Sequence, residues 1–191
     1  MVDFYTEIVK FISDNIINGI FFSVLLVVLT KLILKKIDVY NAKNILKWVI
    51  IVYSIGVIIG LFLLLIFPHS EKYSFINRAT GPYWWAYWLM LTMNSIFPLL
   101  LLFKKLGDKI YFLLFVSMLM NIGWFFESFV SLMTSMNYDD ANYNPYFLNS
   151  REISIIIKGL VFGLGTLAMG NIIEWKKTET YMKEIRREKS N

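Results

Sequence analysis

The chain has no cysteine and a single histidine, His69, in 191 residues. Without thiolates it can build neither a disulfide nor a cysteine-ligated iron–sulfur cluster, and one histidine cannot supply the axial pair of a bis-histidine haem. No cofactor or metal is therefore expected to be held by this chain alone. Charge is scarce as well. Asp, Glu, Lys and Arg make up 17% of the residues, against about 25% in a soluble domain. Soluble-enzyme constellations are also missing: the sequence has no glycine-rich phosphate loop, no paired histidines, and no Ser-His-Asp set that one histidine would complete. No catalytic residue is assigned. The opening stretch, MVDFYTEIVKFISD, lacks the basic start of a cleavable signal peptide and is expected to stay in the mature protein.

What the chain has instead is apolar surface. Hydrophobic residues make up 57% and aromatics 17%, and the mean hydropathy is +0.57. A bilayer core takes about 20 apolar residues per helix, and the sequence reads as an all-α integral membrane bundle of about five transmembrane helices. The expected spans are 16–34, 48–67, 83–103, 110–133 and 153–173. Residues 1–175 form one transmembrane domain, and 176–191 a basic tail with helical composition. Phe4, Ile8, Phe11 and Ile12 form an amphipathic lead-in expected at the membrane surface. Lys35, Lys36, Asp38, Lys43 and Lys47 are expected in a loop, as is the polar NYDDANYNPYFLNS, 137–150.

The cationic residues set the orientation. Of the 19 Lys and Arg residues, five lie between Lys31 and Lys47, three between Lys104 and Lys109, and six in the tail; only Lys10, Lys72, Arg78, Arg151 and Lys158 lie on the other side. Cytoplasmic loops are enriched in Lys and Arg. The N-terminus is thus expected outside and the C-terminus in the cytoplasm. The tail reads as a topology signal that also meets anionic lipid or an acidic partner, and no nucleic-acid partner is expected.

Helical spacing picks out the faces that meet. Gly56 with Gly60, and Gly159 with Gly163, are small-xxx-small pairs suited to close helix packing. Tyr83, Tyr87, Asn94 and Pro98 share a face of the third span. Pro98 removes the hydrogen bond that the Asn94 carbonyl would receive, so that carbonyl needs another donor. Ser117, Asn121, Trp124, Ser128, Ser131 and Ser135 form a stripe on the fourth span, with Glu127 at its edge. Two readings stay open. The Ser and Asn residues join helices, at about 0.6 kcal/mol per bond, or they line a hydrated path. Glu127 is about 10 Å below the outer end of its helix at 1.5 Å per residue, and a carboxylate at that depth is protonated or paired. On the second reading Glu127 exchanges protons with the outside through Ser131, Ser135 or bound water. Trp84, Trp85 and Trp88 form an interfacial belt and, with His69 and Arg78, are the interface candidates.

The stretch FINRATGPYWWAYWLM, followed by N-x-x-x-P, a KK turn and NIGWFFESF, resembles the C-terminal half of the NrfD or polysulfide-reductase-type membrane subunits, above all the quinol-oxidising subunits of alternative complex III. The resemblance covers residues 68–134. It implies a multi-pass subunit in the inner (cytoplasmic) membrane, working within a quinone-linked respiratory complex. Haem and iron–sulfur clusters would sit on partner subunits, and proton transfer would run through Glu127, with Asn121, Asn94, Tyr87 and Tyr83 as the other proton-transfer candidates by match; Trp84, Trp85, Trp88, His69 and Arg78 would be the quinone candidates. The family tends to read PQL where this chain has Pro98-Leu99-Leu100, and ERF where it has Glu127-Ser128-Phe129. The N-terminal bundle that holds the family's quinol pocket has no counterpart here. Two further readings are an autonomous proton-coupled transporter or channel and a purely structural membrane subunit.

Overall fold

The computed structural model describes residues 2–34, 38–67, 71–81, 84–123 and 150–188. All regular structure among them is helical. The elements are α1 (Val2–Asn15), a 3-10 turn (Ile17–Gly19), α2 (Ile20–Ile33), α3 (Tyr40–Ile66), α4 (Glu71–Thr80) and α5 (Trp84–Ser95). A second 3-10 segment (Phe97–Leu102), α6 (Lys104–Gly107), α7 (Ile110–Met120) and α8 (Ser150–Glu188) follow. Among the described residues four helices are long and apolar enough to cross a membrane: Phe4–Ile33, Tyr40–Ile66, Trp84–Leu102 and Glu152–Lys183. The shorter Ile110–Met120 is also apolar. The expected fourth span, 110–133, extends past it into residues outside the described set.

The core is a seam of branched aliphatics in which Ile17, Ile20, Val24 and Val27 meet Leu46, Ile50, Ile51, Leu113 and Val116. Large apolar side chains on the opposite faces, such as Val52, Phe62, Tyr111 and Val161, stay exposed. A helix that is apolar all round is either deeply buried or lipid-facing, and these faces suit lipid.

Lipid tails are as apolar as leucine, so no hydrophobic force drives helices together in a bilayer, and close packing at small residues takes its place. The final helix shows this along its length. A Cβ on Gly159 would run into the Gly19 carbonyl, and one on Gly163 would come within 3.0 Å of Ser23 Cα. Farther along, a Cβ on Gly170 would meet Ala42 N at 2.9 Å. Ser23 Oγ donates to the Gly159 carbonyl at 2.6 Å, and Asn41 Nδ2 to the Gly170 carbonyl at 3.4 Å. The order of these pairs makes α2 and α8 parallel. Gly159 and Gly163 stand out in sequence, whereas Gly170, Gly19 and Ser23 complete the same face without forming a motif of their own.

Several expected boundaries shift. The lead-in packs on α3, where Tyr5 Oη donates to the Gly56 carbonyl at 2.6 Å. The Tyr5 ring lies against Gly60, so this glycine pair receives an aromatic side chain and not a helix backbone. Lys43 and Lys47 belong to α3 and not to a loop, because nothing after Tyr40 breaks the helix and Asp38 Oδ1 accepts the Tyr40 N–H at 2.8 Å. Residues 71–80, between the expected second and third spans, form α4. The tail continues α8 as far as Glu188, with Lys183 and Glu179 2.7 Å apart on its exposed surface.

Gly159→Ala is expected to destabilise the protein by about 1–3 kcal/mol, the usual cost of overpacking, because the obstacle is backbone. Gly165→Ala, where nothing lies within 4 Å, is expected to be neutral or stabilising through helix propensity. Unfolding of both variants in mild detergent checks the contrast.

Candidate functional site

The polar interior begins where two helices break. The first break, at Ile17–Gly19, separates α1 from α2. There the Ile17 carbonyl receives Asn121 Nδ2 from α7 at 3.3 Å, and the same amide also reaches the Ser117 carbonyl at 3.0 Å. The second break follows from Pro98. With no N–H at that position the α-helix ends at Ser95 and continues as a 3-10 segment. The freed Asn94 carbonyl receives Ser54 Oγ from α3 at 3.3 Å, which is the outside donor that the sequence demands.

The other buried polar groups behave alike. Seven polar or charged side chains are buried among the described residues: Ser23, Lys43, Ser54, Ser95, Ser117, Asn121 and Thr166. Each donates to a main-chain carbonyl. Ser23, Ser54, Asn121 and Lys43 do so across elements. Lys43 Nζ donates to the Asp108 carbonyl just beyond α6 at 2.9 Å and lies 4.9 Å from the Tyr40 ring centroid. Carbonyls at a helix C-terminus carry partial negative charge, which favours the Lys43 ammonium beside the Asp108 carbonyl.

One buried acceptor stands apart. Asn94 Oδ1 has no hydrogen-bond partner among the described residues. Asn94 and Asn121, both candidates from the sequence, thus sit on neighbouring packed helices, α5 and α7. Glu127, Tyr83 and His69 lie outside the described residues, as does the side chain of Arg78.

At the aromatic belt, α4 folds back on α5. Phe75 meets the rings of Tyr87 and Trp88 edge-on, with centroids 5.9 and 6.4 Å away. Trp88 Nε1 donates to the Ala79 carbonyl at 3.2 Å. Trp84 and Trp85 are exposed on the outer face of the same helix. The belt is therefore two kinds of group: Tyr87 and Trp88 hold α4, and Trp84 and Trp85 face outward.

A separate feature is an open apolar groove of about 690 Å³ on the flank of α3, walled by α1 and Ile173 of α8. The sequence alone gives no sign of it. It arises because the Ile17–Gly19 break lets α1 lie on α3 while α2 packs on α7 and α8.

No family model matches the sequence, and no curated protein or solved structure matches it either. No group of three or more His, Cys, Asp or Glu able to hold a metal ion occurs among the described residues.

Ser54→Ala is expected to cost about 0.6 kcal/mol, the average for a side-chain hydrogen bond between membrane helices. The cost should shrink in a Pro98→Ala background, where position 98 regains its N–H. A double-mutant cycle of unfolding free energies measures that coupling.

Proposed function

We propose that this chain is a multi-pass membrane subunit whose main work is helix packing and subunit contact inside a larger membrane assembly. The supporting observation is the use of its internal donors. A side-chain proton relay needs groups that donate to one another in series. Among the described residues the seven buried polar side chains instead donate to main-chain carbonyls, four of them across elements. Such an interior holds helices together.

The parallel run of α2 and α8 calls for an odd number of passes. Counting α7 with the four long helices gives five, with the lysine-rich ends of α3, α6 and α8 on the cytoplasmic side. The respiratory setting, with quinone nearby and haem and iron–sulfur clusters on partner subunits, rests on the resemblance of residues 68–134 alone.

A second reading, proton transfer through Glu127, draws on Asn94. A buried carbonyl oxygen without a partner among the described residues calls for a donor, and a water held there would put the first polar stop beside α7. The autonomous transporter reading has no comparable observation behind it.

Purification of the tagged chain from its native membrane in mild detergent is expected to recover other membrane subunits together with haem and iron–sulfur absorbance; recovery of the chain alone contradicts the subunit reading. In the assembled complex, Glu127→Gln is expected to leave electron transfer and proton movement unchanged. A loss of proton movement with assembly intact would shift the assignment to the second reading.

A further inference from the structure

The groove beside α3 is polar at one end only. From Asn41 to Gly56 it follows α3 for about 22 Å at 1.5 Å per residue, longer than the roughly 15 Å of half a bilayer core. At its Gly56 end the polar groups are already joined, Tyr5 Oη to the Gly56 carbonyl. At the other end it is lined by Asn41, Asn44 and the indole of Trp48, which is 56% exposed. Ile173 closes this end on the α8 side, and Lys177, one helical turn farther along α8, is exposed, as is Lys176. The acids nearby are Glu174, on the same turn, Asp38, which accepts the Tyr40 N–H, and Glu179, which pairs with Lys183 at 2.7 Å and also feels Lys176. From Glu174 to Lys183 three cations thus stand against two acids on α8.

We propose that this groove holds an acyl chain of an anionic phospholipid, with the phosphate at Lys176, Lys177, Asn44 and the Trp48 indole. A phosphate diester is a negatively charged acceptor, and ammonium, amide and indole N–H groups are the donors it takes. The wall chemistry argues against a partner helix. Helices dock in membranes at small residues, and the wall offers Trp48 and Val49, while its one glycine, Gly56, is already engaged by Tyr5. The inference needs the chain to be in a membrane and does not depend on its role as a subunit.

The test is native mass spectrometry of the purified full chain with phosphatidylglycerol or phosphatidylcholine of matched acyl chains. The wild-type protein is expected to retain the anionic lipid about fivefold better, in line with the attraction of exposed lysines to anionic lipid. The K176Q/K177Q variant should bring that ratio near one while still carrying lipid. Val49→Trp, which fills the groove, should lose both adducts. Equal retention of the two lipids by the wild type would overturn the proposal, as would adducts that survive Val49→Trp. If Val49→Trp fails to fold, the exposed lysine pair decides. Because the chain has no cysteine, Val52→Cys supplies its sole thiol, and that side chain lines the groove. Efficient disulfide dimerisation of this variant without bound lipid would assign the groove to a second copy and overturn the proposal.

Discussion

The bundle depends on one backbone contact, the crossing of Gly19 and Gly159. At that point a single methyl group has no room, since the carbonyl of one helix lies where the Cβ of the other would be. Ser23 turns the approach into a hydrogen bond to the Gly159 carbonyl, and Gly163 and Gly170 extend it toward α3. With α8 fixed on α2 in this way, α7 takes the other side of α2 and α3 closes the core.

The crossing also explains the break beside it. Gly19 sits on the boundary between α1 and α2, where the Ile17 carbonyl accepts both the Ile20 N–H and Asn121 Nδ2. The break at Pro98 follows the same logic, with Ser54 as the donor from a neighbouring helix. In a bilayer no water is at hand to repair a broken helix, so a break persists where another helix supplies the donor. The two breaks set the directions of α1 and of the lower part of the third span, and through α1 they shape the groove on α3.

Much of this architecture is legible in the sequence because lipid imposes simple rules. Charge-free runs located the long helices, the Pro98 argument called for a donor to the Asn94 carbonyl, and Gly159 and Gly163 marked the tight face of α8. Other features depend on relations between distant residues. Gly19 and Ser23 carry no pattern until Gly159 is placed against them, and Lys43 reads as a loop lysine until the Asp108 carbonyl is seen to receive it. Residues 71–80 are mostly polar, yet Phe75 gives them a wedge against Tyr87 and Trp88. Among the site candidates, Asn94 and Asn121 came from helical spacing and do fall on packed helices, whereas Glu127 rests on its sequence position alone.

The proposed topology makes the parallel helices α2 and α8 the first and last of five alternating passes. The most direct measurement uses the absence of native cysteine: single cysteines are introduced at Asp38, Lys105 and Thr180 on one end of the bundle, and at Phe4 and Thr80 on the other. Labelling with a membrane-impermeant maleimide in sealed vesicles of known orientation should place the first three on one face and the last two on the opposite face. Thr180→Cys reacting from the same face as Thr80→Cys would contradict the account.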